Sequence, residues 1–173
     1  TDEMVKQYET LGVVFLPALF RKHVETLRKG IARNISEPGP YAAENLKEGE
    51  EGRFFDDYCN WNRIPEFKKV INCVHINKVA ADLMSSNTVQ LFHDHVLVKE
   101  PGTTKSTPWH SDGPYYFVKG RHNISFWVPL DPVKEATLRM VAGSHKWPKP
   151  VLPTRWLSEE SFYPNSEDYI PVP

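Results

Sequence analysis

The stretch Thr88-Val89-Gln90-Leu91-Phe92-His93-Asp94-His95-Val96-Leu97-Val98-Lys99 decides how this chain is read. It is long, β-branched and partly alternating, so it reads as a strand, which Pro101-Gly102 closes. The chain on its N-terminal side is helical. Met4, Tyr8 and Leu11 recur at helical spacing, and Gly12 is placed to stop that helix. A short extended run, Val13 to Pro17, leads to a second helix from about Leu19, with Phe20, Val24, Leu27 and Ile31 on one stripe. Residues 64 to 85 read helical again, on Phe67, Val70, Ile71, Val79, Leu83 and Met84. The chain on the C-terminal side is strand-like. His122 to Leu130 reads as a second strand, Thr137 to Val141 as a third, and Pro148 to Pro173 as a proline-rich polar segment. Helices first and short strands second describe an α+β chain whose later half is a β sandwich or barrel.

The residues 35 to 53 interrupt the helical half with Glu37-Pro38-Gly39-Pro40 and a charged run from Lys47 to Glu51. They read as a surface loop, either a connector or a lid over a site. The 173 residues suit one domain, 1-173, mainly helical over 1-86 and β-rich over 87-173. A net charge of -1 gives no basic stripe for nucleic acid. The first residues, Thr1-Asp2-Glu3-Met4, have no apolar signal-peptide core, and no apolar run approaches the roughly 20 residues of a membrane span. The expected compartment is cytoplasmic. Cys59 and Cys73 form no C-x-x-C pair and are expected to be reduced and buried.

The chemistry concentrates in Trp109-His110-Ser111-Asp112. On an extended segment, residues two apart project to the same side, so the His110 imidazole and the Asp112 carboxylate can reach one metal. A further histidine would make a 2-His-1-carboxylate triad, which leaves positions open on Fe(II) for a co-substrate and O2. A bare H-x-D motif needs its structural context. Here the context is an ordered series. His93-Asp94-His95 to Pro101-Gly102 comes first, then Pro108 to Tyr116. Ser125-Phe126-Trp127-Val128-Pro129-Leu130-Asp131 and Val141-Ala142-Gly143-Ser144-His145-Lys146-Trp147 come after them.

In this order and spacing the series resembles the phytanoyl-CoA dioxygenase family of Fe(II)/2-oxoglutarate-dependent oxygenases, most densely over residues 89 to 147. The resemblance implies a double-stranded β-helix core, jelly-roll or cupin-like, with N-terminal helices. It implies His110 and Asp112 as catalytic iron ligands. It also implies Lys99 as a co-substrate-binding lysine, with His95 and Trp127 lining or packing on 2-oxoglutarate. His145 falls in the family's Gly-Ser-His turn, where the histidine is not an iron ligand in most members. The implied reaction hydroxylates an unactivated C–H bond of a small-molecule or lipid-like substrate with O2, and decarboxylates 2-oxoglutarate to succinate and CO2. Related halogenases replace the aspartate by a small residue, so Asp112 favours hydroxylation. The local departures are Ala142 for a common proline and a missing glycine in Glu135 to Met140. The family's distal histidine and its carboxylate-binding arginine are expected beyond Pro173, in roughly another hundred residues of a jelly-roll core left incomplete at the C-terminus.

Other readings stand beside these. A non-catalytic jelly-roll binding domain, or a cupin-type metal enzyme that does not use 2-oxoglutarate, would carry the same fold. His93 and His95 form either a metal pair or, with His95 lining the pocket, a packed neighbour pair. Lys99 shares a strand face with His95 and Leu97, which argues for an inward ammonium that meets an anion. Tyr115, Tyr116 and Phe117 read equally as core or as a substrate wall. Arg121 and His122 suit a turn between strands, Asp57 and Trp61 the substrate mouth, and His23 and His75 structural or exposed positions.

Overall fold

Gly12 ends the first helix as its sequence position predicts. In a computed structural model, which describes residues 1–120, 122–135, 137–155, 158, 160–163 and 167–172, α1 runs Asp2–Leu11. Thr1 caps it, with Oγ1 accepting from Met4 N at 3.4 Å, and Gly12 closes it at φ 77°, a left-handed turn that glycine adopts without a Cβ penalty. The second helix starts later than Leu19. A 3-10 turn at Arg21–His23 comes first, and α2 spans Val24–Ser36. The single helix expected over 64 to 85 is two: α3 (Pro65–Ile71), with proline at its first turn, and α4 (Val74–Leu83).

The strands depart further from expectation. β1 (Ala43–Glu44) and β2 (Phe54–Tyr58) flank the charged run that reads as a loop, and β3 is His95–Lys99, less than half of the 88 to 99 stretch. The three form one sheet in the order β1-β2-β3. β1 and β2 are antiparallel, with Ala43 opposite Asp56 and Glu44 opposite Phe55. β2 and β3 are antiparallel too: Cys59 N donates to Asp94 O at 3.0 Å and Glu100 N to Arg53 O at 3.0 Å. The strands expected at His122 to Leu130 and Thr137 to Val141 are not formed; among the described residues both segments lack ladder partners. Isolated bridges at Val151–Ile170 and Thr154–Ser161 are the further strand pairings described. Among the described residues the chain is thus α+β, with four α-helices and a three-stranded sheet. No helix among the described residues is long and apolar enough to cross a membrane.

The contacts group into two compact units, each built from three separated segments. The first holds residues 1–41, 57–96 and 122–145. There α2 packs on α3 at Gly30, where a Cβ would overlap the Phe67 ring, and Arg33 adds a two-pronged ion pair to Glu66 at 2.9 and 3.1 Å. The buried face of α2 is Gly30 and Asn34, so its expected stripe of Phe20, Val24, Leu27 and Ile31 is only half-buried, whereas Phe67 and Val70 of α3 and Leu83 of α4 are buried. The second unit holds 42–56, 97–121 and 146–173. Phe54 and Phe55 are its buried aromatics, Asn45 Nδ2 donates to Asp56 Oδ1 at 2.6 Å, and Thr103 Oγ1 bonds both Arg53 N (3.0 Å) and Arg53 O (2.8 Å). Within this unit the 35–53 loop is therefore pinned at its second half.

Candidate metal and co-substrate site

The segment Pro108 to Ser111 joins no sheet, Asp112 enters helical backbone at φ −65° and ψ −39°, and the side chains of Ser111 and its two neighbours part. Ser111 Oγ accepts from Val151 N at 3.2 Å on one side. On the other side His110 Nε2 lies 3.2 Å from Asp112 Oδ1. Asp112 begins the 3-10 turn Gly113–Tyr115 but makes no side-chain cap bond to it. His110 Nδ1–H donates to the carbonyl of Pro108 at 2.8 Å, which fixes the ring and aims Nε2 at the carboxylate. Tyr115 steadies the same ring edge-on, 5.8 Å between centroids. Its hydroxyl donates to Thr154 O at 2.9 Å and accepts from Thr154 N at 2.8 Å. Tyr115 is therefore a packing post for His110, while Phe117 is 91% exposed.

The Asp112 hydrogen bond holds the His110 imidazolium above its usual range; burial opposes the shift and the Pro108 carbonyl supports it. With both nitrogens facing acceptors, a cation entering at Nε2 must displace a proton. The pair fits two neighbouring positions on a divalent metal, because ligand bonds of about 2.1 Å at right angles put donor atoms about 3 Å apart. Among the described residues no group of three or more His, Cys, Asp or Glu converges on a metal position.

Lys99 lies in the same unit at the end of β3. The burial of β3 corrects the inward reading of its face: His95, Leu97 and Lys99 are exposed and Val96 is buried. The physical reason is that the described residues build one sheet, with no second sheet over that face. The ammonium is nonetheless engaged. Nζ donates to Lys105 O at 3.1 Å and Thr107 Oγ1 at 3.2 Å, and sits 4.3 Å over the Phe54 ring. Desolvation lowers its pKa. Sequence reasoning assigned no part to Lys105, Thr107 or Pro108; the proline directly before Trp109-His110 was the signal available.

The remaining candidates lie in the first unit. Trp127 is 48% exposed. His95 meets Tyr58 edge-on at 5.6 Å, and Tyr58 stacks on Tyr41 at 4.9 Å. His93 and His95 have ring centroids 6.5 Å apart, and the aspartate between them serves the backbone instead. Asp94 accepts from Trp61 N at 2.8 Å and Asn60 N at 3.3 Å. Asp57 is fully buried, not at a substrate mouth. It accepts from Asn34 Nδ2 and Gly39 N, each at 2.7 Å, and Arg63 lies 3.6 Å away.

His145 docks on α1. Its Nε2–H donates to Glu9 O at 3.1 Å, Gly143 N donates to Leu11 O at 2.8 Å, and a Cβ at Gly12 would overlap the imidazole. His122 does the same for α4, with Nδ1–H donating to Met84 O at 2.7 Å. Both histidines satisfy carbonyls that a helix C-terminus leaves unpaired. Arg121 lies outside the described residues. Cys59 and Cys73 are both free, as expected, but neither is buried: Cys59 is exposed and Cys73 half-buried.

The sequence profile of the family described as Phytanoyl-CoA dioxygenase (PhyH) matches residues 8–173. Searches among curated proteins and among solved structures gave no match.

Proposed function

The chain belongs to the phytanoyl-CoA dioxygenase family, a family of Fe(II)/2-oxoglutarate-type oxygenases, and from that membership we propose that it hydroxylates an unactivated C–H bond of a small-molecule or lipid-like substrate. The observation that carries the proposal is the 3.2 Å approach of His110 Nε2 to Asp112 Oδ1, with the ring oriented by Pro108 O. In this reading His110 and Asp112 hold Fe(II), and Lys99 binds a carboxylate of 2-oxoglutarate. The family resemblance alone assigns His95 and Trp127 to the co-substrate and a jelly-roll core to the chain, and residues 1–173 are read as one domain of a cytoplasmic protein.

Bound Fe(II), with 2-oxoglutarate and O2, supplies oxidative decarboxylation to succinate and CO2 and the delivery of one oxygen atom to carbon. The chain's own residues do the rest. Pro108 O keeps the proton on Nδ1 of His110, so that the Nε2 lone pair is the one offered to the metal. Asp112 would supply the carboxylate that related halogenases lack, which favours hydroxylation. Tyr115 limits rotation of the imidazole. Lys99 places a positive charge on an otherwise neutral set of acceptors, suited to a dicarboxylate.

The test is succinate formation by the full-length protein, with Fe(II) and 2-oxoglutarate each omitted in turn. Succinate that depends on both supports the reading. No succinate above the omission controls, in protein shown to bind metal, reduces the chain to a binding domain on the same scaffold.

A further inference from the structure

We propose that Thr107 is a positioning residue for the co-substrate lysine, and that the dipeptide Thr107-Pro108 sets the register between Lys99 and His110. The inference rests on the proposed roles of those two residues and adds how they are held together.

Lys99 and His110 belong to different segments, a strand end and a loop. Two adjacent residues reach both. The Thr107 hydroxyl accepts from Lys99 Nζ at 3.2 Å, and the carbonyl of the next residue, Pro108, accepts from His110 Nδ1 at 2.8 Å. Lys105 O takes a second proton of the same ammonium at 3.1 Å, and the Phe54 ring, itself 1% exposed, lies 4.3 Å beneath it. A lysine head on a four-carbon stem has many rotamers, and a ligand that needs it in one place must otherwise order it on binding. Here two oxygens and a ring face order it in advance. All three contacts are neutral, so they fix the position of the ammonium without cancelling its charge. Proline at 108 fixes its own φ and restricts Thr107 to extended backbone, which makes the two anchor points a rigid pair. A carboxylate at Lys99 and a metal at His110 would then be spaced by one stiff peptide unit, as chelation of one small molecule by both requires.

The test is calorimetric titration of 2-oxoglutarate into the full-length protein loaded with Mn(II) under argon. Thr107→Val, which keeps shape and removes the hydroxyl, is expected to weaken binding about tenfold. Thr107→Ser restores the hydroxyl and is expected to stay within about twofold of the parent. In steady-state assays the KM for 2-oxoglutarate rises more than kcat falls in Thr107→Val. In a Lys99→Ala background Thr107→Val is expected to have no additional effect, since it acts through the ammonium. Equal affinity of Thr107→Val and the parent, equal weakening by Val and Ser, or full additivity with Lys99→Ala would each overturn the proposal. Parent protein that binds Mn(II) but not 2-oxoglutarate would overturn the Lys99 assignment itself, and this inference with it.

Discussion

His110 Nε2 and Asp112 Oδ1 stand 3.2 Å apart, while Ser111 between them turns away to bind Val151 N. The two-residue spacing brings the two donor groups to one side, and the helical backbone at Asp112 begins the turn that follows. The Pro108 carbonyl and the Tyr115 ring then decide where the imidazole points.

His110→Ala or Asp112→Ala removes one of two converging donors. Either is expected to lower Fe(II) affinity by more than about 100-fold, beyond the loss typical of an outer-shell partner. Anaerobic equilibrium dialysis reads this directly; parent-like affinity in both variants would exclude the pair as ligands.

Lys99→Ala is expected to weaken 2-oxoglutarate binding by about 10- to 100-fold, since the ammonium provides a charge-assisted contact to a carboxylate. Metal affinity, measured on the same protein, serves as the control for folding.

Gly30→Ala is expected to destabilise the first unit by about 1–3 kcal/mol, because the new methyl overlaps the Phe67 ring. An exposed helical glycine gives the opposite sign, as alanine is the better helix former. Urea unfolding followed by circular dichroism distinguishes the two.

His145→Ala is expected to fray α1 at a cost of about 1 kcal/mol, by removing the bond to Glu9 O. Hydrogen exchange would show faster amides in the last turn of Asp2–Leu11. Metal affinity should not change; a large loss would make His145 a ligand.

Asp57 carries a pH signature. Burial raises its pKa, but hydrogen bonds from Asn60, Asn34, Gly39 and Tyr58 together lower it further, to a net value below the ordinary carboxylate. A depressed folded-state pKa means stability that is present above the unfolded value, about 4, and lost as pH falls through the folded one. Asp57→Asn is expected to flatten stability below about pH 4, and Asp57→Ala to cost about 2–4 kcal/mol by stranding Asn34 and the Gly39 N–H. Denaturation midpoints measured from about pH 2 to about pH 7 check both.

Much of the helical half was legible because its signals are local. Gly12 stops α1 by a backbone preference that acts within a few residues. His110 and Asp112 were legible for the same reason, since a two-residue spacing fixes a side. β2 was not. Phe54-Phe55-Asp56-Asp57-Tyr58 holds two aspartates where strand propensity is poor, and they are tolerated because Asn45 answers Asp56 while Asn34, Gly39 and Arg63 answer Asp57. Those partners lie up to 23 positions away in sequence.

By itself the sequence determined where α1 stops, the α+β class and the two-residue spacing of the histidine and aspartate, because each depends on neighbours along the chain. Only the tertiary structure decided that the buried face of α2 is Gly30 and Asn34, that His145 closes a helix, and that Lys99 is held by Thr107, Lys105 O and Phe54. Burial and hydrogen-bond partnership belong to pairs of residues brought together by folding, and no local pattern encodes which distant acceptor a buried or half-buried donor will find.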